Sequence, residues 1–353
     1  MQRVIVGMSG GVDSAVTAYL LQCGGYEVIG VTLRTWLSAD GTESRCCEIS
    51  DAQRICDSLG IPYYVRSCLS EFRQEITEPF VREYLAGRTP NPCVICNGCI
   101  KWQKLIEAAD AMHADWLATG HYASVRRLAN GRYTVQRGAF SEKDQSYMLY
   151  RLTQAQLSRT LMPLGQLSKA EVREIAKTAG IPVAEKPDSQ EICFVTDGRY
   201  ADYVEEHAGQ PLPGEGDFVD ACGQILGRHQ GIHRYTVGQR KGLGIAVGQP
   251  VYVQKIDAAA NRIVLGDAAS LRTDTVLCGD LHFMGMREPA AGETFAAEVK
   301  IRYHHPAQDA VCEMLTDGRL RVRFRQPVRA AAPGQSAVFY DRSGCVLGGG
   351  IIG

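Results

Sequence analysis

The sequence predicts an α/β N-terminal half organised around a parallel sheet, followed by an all-β, barrel-like C-terminal domain. Short apolar runs alternate with helix-like segments up to about residue 197, which is the order that βαβ units give. Beyond that point glycine and proline become frequent, and from about residue 270 the apolar runs are short and alternating. The length of 353 residues exceeds one ordinary domain and favours two or three.

The N-terminal half gives strand and helix predictions in regular alternation. Ser168 precedes Glu171 by three residues, and this capping box predicts a helix over 168–179 that Gly180 and Pro182 end. The remaining predictions rest on apolar runs and their periodicity. They are strands at 4–6, 28–33, 61–65 and 116–118, helices at 15–22 and 49–59, and C-terminal strands within 296–303 and 320–324.

The composition is typical of a globular protein, with 45% hydrophobic and 22% charged residues. The apolar run at 4–6 breaks at once into glycines, so we expect a buried strand there and not a signal peptide. No later run reaches the roughly 18 apolar residues of a membrane span, and we expect a cytoplasmic protein. The thirteen cysteines lack a disulfide-framework spacing, which favours a reducing compartment. Nine are expected to be small buried side chains: Cys23, Cys46, Cys47, Cys56, Cys68, Cys222, Cys278, Cys312 and Cys345.

Positive charge is concentrated in two stretches, although the formal net charge is −1. Neither 221–256 nor 318–340 contains Asp or Glu. Such stretches are typical of a polyanion-binding surface or of a solvated face that acidic neighbours neutralise, and charge alone leaves both open. Their cations are Arg228, Arg234, Arg240, Lys241, Lys255, Arg319, Arg321, Arg323, Arg325 and Arg329.

The sharpest local signal is the segment GMSGGVDS at residues 7–14, between the first strand and the first helix. Its glycines let backbone N–H groups approach phosphate oxygens, and the following helix N-terminus favours an anion. The segment is neither GxxxxGK[ST] nor GxGxxG, which disfavours P-loop kinases and nicotinamide dehydrogenases. It resembles the pyrophosphate-binding loop (PP-loop) of the ATP pyrophosphatase superfamily, and this resemblance implies an adenylation reaction.

Further segments narrow the resemblance. They are ATGHY at 118–122, TPNPCVICN at 89–97, KDQSY at 143–147, DSQEICF at 188–194 and PGQSAV at 333–338. Together, in order and along the whole chain, they resemble the bacterial tRNA-specific 2-thiouridylase family, which makes 2-thiouridine at the wobble position. The resemblance implies a PP-loop adenylation domain of Rossmann-like type at 1–197, a small central tRNA-contacting domain at 198–270 and a C-terminal β-barrel at 271–353.

The resemblance also implies roles for matching residues. Cys96 would be the nucleophile and Cys193 would carry a persulfide, while Asn91, Pro92 and Cys93 would lie against the target base. Implied ligands of ATP with Mg²⁺ are Gly7, Met8, Ser9, Gly10, Gly11, Val12, Asp13, Ser14, Leu33 and Gly120. Implied tRNA contacts are His121, Lys143, Asp144, Gln145, Arg302, Tyr303 and Gln335. Implied partners are tRNAs of the Lys, Glu and Gln type and a sulfur-donor protein or cysteine desulfurase, with the chain itself a monomer.

The chain departs from many relatives at Cys93, where they have Asp, and at Cys99, where they have a non-cysteine residue. The resulting C-x2-C-x2-C spacing is also typical of metal or iron–sulfur ligation. An alternative is therefore a [4Fe-4S] cluster held by Cys93, Cys96 and Cys193. Because a thiol does not replace a carboxylate as a charge, the base-side role of Cys93 stays open.

The residue types suit sulfur insertion, because a carbonyl oxygen leaves well only as an AMP ester and sulfur needs a thiolate or persulfide carrier. Either the Cys193 persulfide attacks the activated carbon and Cys96 resolves the bond, or Cys96 first releases hydrosulfide. Two other functions remain open. A small-molecule synthetase would need no paired cysteines, and an RNA-binding module with a structural CxxCxxC would consume no ATP.

Overall fold

The computed structural model describes residues 1–37, 48–184, 192–195 and 198–353. None of the helices in these ranges combines the length and apolar composition that crossing a bilayer requires. Described strands are β1 Arg3–Gly7, β2 Glu27–Arg34, β3 Tyr63–Ser67, β4 Trp116–Ala118, β5 Ala123–Arg127, β6 Tyr133–Arg137, β7 Thr160–Leu161, β8 Gly216–Val219, β9 Ile225–His229, β10 Tyr252–Asp257, β11 Arg262–Gly266, β12 Arg272–Phe283, β13 Thr294–Lys300, β14 Gln308–Met314, β15 Leu320–Arg329, β16 Ser336–Tyr340 and β17 Val346–Ile352.

The helices of the described ranges lie mainly in the N-terminal half. They are α1 Val12–Cys23, α2 Ile49–Leu59, α3 Leu69–Phe72, α4 Glu78–Leu85, α5 Pro92–Ile95, α6 Trp102–Ala111, α7 Gln154–Leu157, α8 Lys169–Thr178 and α9 Tyr200–His207. π-helical stretches at Arg73–Thr77 and Cys96–Lys101 join α3 to α4 and α5 to α6. The capping box predicted for the helix at 168–179 forms, since Ser168 and Glu171 bond reciprocally at the start of α8.

The N-terminal sheet is parallel, with the strand order β3-β2-β1-β4-β7. Because the chain reverses direction of travel across the sheet at β1, a crevice opens at the carboxyl ends of β1 and β4. Val4, Ile5 and Val6 of β1 are fully buried. Ile5 packs into one hydrophobic cluster and its two neighbours into another, which is why the sequence run is continuously apolar.

Two β units follow. A four-stranded sheet has the order β10-β11-β8-β9, and a closed six-stranded barrel has the order β12-β15-β14-β13-β16-β17. In β15, Leu320 and Val322 are fully buried while Arg323 is exposed, as the alternation in the sequence predicts. The α/β class with a C-terminal barrel is thus confirmed, whereas the domain limits 197/198 and 270/271 stay predictions.

Three sequence predictions need correction. The third strand starts at Tyr63 and not at residue 61, because Ile61 N–H bonds to Cys56 O and Pro62 has no N–H. Cys23 and Cys222 are exposed, because one ends α1 and the other lies in the turn between β8 and β9. Cys46 and Cys47 lie outside the described residues, whereas the other five cysteines of that prediction are buried.

Candidate active site

The segment 7–14 leaves the carboxyl end of β1 and is fixed to the neighbouring strand. Met8 N–H donates to Val31 O at 2.9 Å, and Thr32 Oγ1 donates to Met8 O at 2.8 Å. Gly10 has φ +75°, and a Cβ there would lie 2.8 Å from Glu48 O, so the position requires glycine. Gly11, which precedes α1, has no side chain to cap the first turn. The loop therefore presents a helix N-terminus suited to an anion.

The other predicted ATP residues lie at the same edge of the sheet. A Cβ at Gly120 would lie 2.8 Å from Asp13 C and 2.9 Å from Ser14 N, so the loop after β4 meets the segment 7–14 backbone to backbone. Leu33 is buried towards the end of β2. The fold thus gathers these residues at the carboxyl ends of β1, β2 and β4, where ligands of such sheets bind.

Asp13 does not face the loop alone. Its carboxylate accepts from Tyr122 Oη at 2.7 Å, and Lys169 Nζ lies 2.8 and 2.9 Å from its two oxygens. Lys169 is the first residue of α8, where its charge opposes the helix dipole. The sequence analysis missed Lys169. The one signal in the sequence was a lysine directly after the capping serine. A positive charge is unfavourable at a helix N-terminus unless an anionic group lies nearby.

Gln145 and Asp144, two predicted tRNA contacts, make hydrogen bonds to Tyr122 and to neighbouring residues of the protein. Gln145 Oε1 accepts from Tyr122 N–H at 3.0 Å, and Gln145 N–H donates to Tyr122 O at 3.1 Å. Asp144 is buried and accepts from Gly138 N–H and from the N–H and hydroxyl of Ser146. Both side chains therefore hold protein groups, and half-buried Lys143 precedes them.

His121 joins the phosphate loop to the cysteine region. Its Nδ1 lies 2.9 Å from Thr119 Oγ1, and its ring centroid lies 5.3 Å from that of Trp102. Burial, with a smaller contribution from the charge of Lys101, lowers the pKa of His121 to about 3. The ring is therefore neutral at physiological pH and offers tRNA no charge. Six residues of helix, roughly 9 Å, separate Trp102 from Cys96.

Residues 89–93, which include the three predicted to lie against the target base and are called the base loop below, lead into a helix. Pro92 is the first residue of α5, a favoured position for proline, and Cys96 begins the π-helical stretch. Asn91 Nδ2 lies 3.6 Å from Met148 Sδ, and Asn97 Nδ2 donates to Met148 O at 3.0 Å. Cys93 is half-buried and Cys96 is buried, whereas Cys99 is exposed. π-Helical turns occur often at functional sites, and this one begins at the buried Cys96.

Cys193 reaches the same hydrophobic cluster as Cys96 from a distant part of the chain. It is half-buried, and its neighbour Phe194 is fixed by edge contacts with Phe80 at 5.1 Å and Phe72 at 5.7 Å. Residues 188–191 of the DSQEICF segment lie outside the described residues. Among the described residues no group of three His, Cys, Asp or Glu side chains is arranged as metal ligands, and a cluster held by Cys93, Cys96 and Cys193 stays an alternative prediction.

The barrel contacts the base loop directly. Thr89 N–H donates to Pro333 O at 2.8 Å, and Gln335 Nε2 donates to Thr89 O at 2.8 Å. Tyr303 lies beside Tyr147, with ring centroids 6.1 Å apart. Burial raises the pKa of Tyr303, and the charges of Asp144 and of a Cys93 thiolate raise it further. The predicted tRNA residues Gln335 and Tyr303 thus lie at this loop, and Gln335 braces it.

Arg302 and several arginines of β15 contact other groups of the protein. Arg302 Nη2 donates to Val237 O at 2.8 Å and to Ala330 O at 2.6 Å, so it ties the central unit to the barrel. In β15 and the turn before it, three arginines meet acidic partners, which favours the neutralised-face interpretation of that stretch. The pairs are Arg319–Asp317 at 2.6 Å, Arg321–Glu313 at 2.9 Å and Arg325–Asp309 at 4.0 Å.

Three family models match the chain in succession. The tRNA methyl transferase HUP domain covers residues 2–197, the tRNA methyl transferase PRC-barrel domain covers 201–267 and the aminomethyltransferase β-barrel domain covers 273–352. Among solved structures, the U34-tRNA thiolase NcsA from Methanococcus maripaludis is 22% identical, with a TM-score of 0.36, and covers 59% of this chain and 67% of that chain. At that TM-score the likeness says nothing about the site.

Curated relatives match over the full length. The tRNA-specific 2-thiouridylase MnmA of Lachnoclostridium phytofermentans is 48% identical, covering 100% of this chain and 99% of that protein. That of Acetivibrio thermocellus is 46% identical, covering 99% of each. The family models speak of methyl transfer, but these relatives extend across all three matched segments at nearly half identity and agree with one another. The chain therefore belongs to the family of tRNA-specific 2-thiouridylases.

Proposed function

We propose that this chain is an ATP-dependent tRNA-uridine 2-sulfurtransferase that converts the wobble uridine, position 34, to 2-thiouridine. Family membership over the whole chain supports the activity. The observation that carries the mechanism is the link from Gly120, which abuts the phosphate loop, through His121 and Trp102 to the helix that displays Cys96. A nucleotide site and a buried thiol beside a base loop are what adenylation followed by sulfur transfer requires.

In the first step the C2 carbonyl oxygen attacks the α-phosphorus of ATP, supplied as its magnesium complex. The α–β anhydride bond breaks, pyrophosphate leaves and the uridine N3 proton is released. The N-terminus of α1 stabilises the phosphate charge. Lys169, which pairs with Asp13 of the phosphate loop, is the cation that we assign to offsetting charge on the leaving pyrophosphate.

In the second step the terminal sulfur of a Cys193 persulfide attacks C2, and AMP leaves with the oxygen. The Cys96 thiolate then attacks the Cys193 sulfur, the S–S bond breaks and 2-thiouridine is released. The resulting Cys96–Cys193 disulfide is reduced by an external thiol. In the second scheme Cys96 attacks the persulfide first, and the released hydrosulfide attacks C2. In both schemes the Cys193 persulfide supplies the sulfur, and both leave the two cysteines oxidised to the Cys96–Cys193 disulfide. Neither scheme involves a cluster.

The finer expectations belong to this proposal. We expect tRNAs of the Lys, Glu and Gln type as substrates, a sulfur-donor protein or cysteine desulfurase as the source of persulfide, and a cytoplasmic monomer. The domain limits at 197/198 and 270/271 are supported by the strands of the described sheets, which fall within 3–161 for the parallel sheet and the β5–β6 pair, 216–266 for the four-stranded sheet and 272–352 for the barrel.

The proposal is tested by measuring pyrophosphate release and 2-thiouridine in the same reaction, with and without tRNA. We expect both products to require tRNA, and a matched tRNA with cytidine at position 34 to give no thiolated nucleoside. Pyrophosphate release that needs only a small molecule would indicate a synthetase. Binding of tRNA without ATP consumption would indicate an RNA-binding module. Either result would overturn the proposal.

A further inference from the structure

The cations of the two basic stretches differ in their partners. Arg228 pairs with Asp217 at 3.0 Å, Arg234 pairs with Glu205 at 2.6 Å, and three arginines at β15 are paired as described above. Lys255 and Arg323 are exposed without a paired carboxylate in the described ranges, and the same holds for Arg240, Lys241 and Arg329 at the contact between the two β units. We call these three residues the junction basic surface, because they lie where the central sheet meets the barrel.

Close backbone contacts bring the three residues together. Gly238 N–H donates to Val253 O at 2.8 Å, and a Cβ at Gly238 would lie 2.8 Å from Ala330 Cβ. The turn that carries Arg240 and Lys241 therefore starts against the residue that follows Arg329. The Arg329 guanidinium lies 4.8 Å from the ring centroid of Tyr252. This stacking leaves its charge exposed at the same junction.

The turn is held in one conformation before any ligand arrives. The Gln239 side chain accepts from Thr236 N–H at 3.0 Å and donates to Lys241 O at 3.0 Å. Gly238 and Gly242 have φ of +90° and +76°, which glycine adopts without strain. Because little conformational entropy is left to lose, the two cations are arranged in advance for a binding partner.

Arg302 holds the junction from below. Its Nη2 bonds to Val237 O, directly before Gly238, and to Ala330 O, directly after Arg329. One guanidinium group thus fixes both backbone segments that present the exposed cations. Its Nε is buried without a hydrogen-bond partner in the described part of the chain, so this side chain is committed to the protein interior.

Two chains of contacts connect the residues beneath the junction basic surface with the cysteine region. Arg302 precedes Tyr303, which lies beside Tyr147, and the next residue, Met148, contacts Asn91 of the base loop and Asn97 of the π-helical stretch. On the other side Thr236 Oγ1 lies 3.4 Å from Tyr200 Oη, and α9 carries Tyr203, 5.0 Å from Phe194.

We propose that the junction basic surface binds the phosphate backbone of the tRNA close to the target uridine, with Arg302 as its positioning residue. This inference rests on the proposed function and adds a tRNA contact made by Arg240, Lys241 and Arg329. Exposed cations in a preformed turn suit phosphate oxygens, which give affinity and register without sequence readout. The role that the resemblance implies for Arg302 is then indirect.

The first test is the salt dependence of tRNA affinity for Arg240→Gln/Lys241→Gln, using purified full-length protein. We expect about tenfold weaker binding near physiological salt and a slope of log affinity against log salt that is shallower by about 2. The tRNA concentration that gives half-maximal pyrophosphate release should rise by a similar factor. The control Arg323→Gln/Arg325→Gln removes the same charge from β15 and should leave the slope unaltered. Equal slopes for wild type and the Arg240/Lys241 variant would overturn the inference.

The second test separates positioning from direct contact. Arg302→Lys, a conservative change, should weaken tRNA binding, and it should add little when combined with Arg240→Gln/Lys241→Gln, because all act through one surface. Additive changes in the salt slope would mean that Arg302 contacts phosphate itself. Loss of sulfur loading from a donor protein with an unchanged tRNA slope would assign the surface to that protein. Both results contradict the inference, whereas absence of thiolation by the wild type would instead reject the proposed function.

Discussion

The phosphate loop and the cysteine region of this site are assembled in different ways. The phosphate loop is eight consecutive residues from the end of β1 through the first turn of α1, fixed by hydrogen bonds to β2 and by the close approach of Gly120. The cysteine region instead joins residues 91–97, Cys193, Tyr303 and Gln335 from three separate parts of the chain.

The difference shows where each half is vulnerable. A contiguous loop is impaired mainly by substitutions of its own residues and of the charged residues paired with them. A dispersed region also depends on groups that never touch the reacting atoms, such as Phe194 against Phe80 and Gln335 against Thr89. Substitutions in the two halves should therefore separate adenylation from sulfur transfer.

The largest expected effect is in the cysteine region. Cys193→Ser and Cys96→Ser should reduce 2-thiouridine to background, because the hydroxyl of serine neither carries nor resolves a persulfide. Both variants should still release pyrophosphate with tRNA, since adenylation needs only ATP and a positioned carbonyl. Nucleoside analysis and pyrophosphate release measure the two steps. Cys222→Ser, at an exposed turn, is the control and should thiolate normally. Full thiolation by either active-site variant would remove the two-cysteine mechanism.

The next effect is in the phosphate loop. Lys169→Met keeps the length of the side chain but removes its charge, and we expect pyrophosphate release to fall about 10²-fold or more, as for loss of one electrostatic group at a transition state. Asp13→Ala should act in the same direction, because it releases Lys169 and Tyr122. The binding of tRNA should be largely retained. Lys177→Met on the same helix is the control. Weakened tRNA binding with normal turnover would contradict the separation of the two halves.

A smaller effect should come from the brace between barrel and base loop. Gln335→Ala removes the hydrogen bond to Thr89 O, worth about 1 kcal/mol, and should lower the thiolation rate roughly five- to tenfold. The yield of 2-thiouridine per pyrophosphate should also fall, since a misplaced base is adenylated without sulfur transfer. Gln326→Ala, exposed on β15, serves as the control. An unchanged yield would mean that Gln335 only contributes to stability.

Cys93→Asp should have little effect, within about threefold of wild-type thiolation, because it replaces one half-buried polar group by the residue of many relatives. The visible spectrum of anaerobically purified wild type and variant accompanies the assay. A chromophore that the substitution bleaches together with activity would support the cluster alternative over the two-cysteine mechanism.

The smallest effect concerns stability. The folded-state pKa of His121, about 3, lies below its ordinary value, so the unfolded chain binds an extra proton between about pH 6.5 and 3. Stability should therefore fall as the pH drops below 6.5, by about 1 kcal/mol from this group at pH 5.5. His121→Asn should lose less stability than wild type between pH 7.5 and 5.5 in thermal unfolding. An identical loss would show that His121 is not held neutral.

The sequence by itself determined the parallel sheet, the barrel and the phosphate loop, because each is predicted from patterns within short segments of the chain. Apolar runs and period-two alternation set β1 and β15, and the glycines at 10 and 11 set the turn before α1. Resemblance over the whole chain then identified the family. These features depend on local backbone conformation, which a short segment specifies.

The tertiary structure alone decided which charges meet. Lys169 and Asp13 lie 156 residues apart, and no pattern near either residue in the sequence indicates that the two form a pair. Both basic stretches contain arginines that meet acidic partners, such as Arg234 and Arg321, whereas Arg240, Lys241 and Arg329 have no paired carboxylate in the part of the chain described. Arg302, for which the resemblance implies a tRNA contact, bonds to two backbone carbonyls of distant segments, while the tRNA contact stays a prediction. Electrostatic partners act through space over a few ångströms, so their pairing is fixed only when packing brings distant segments together.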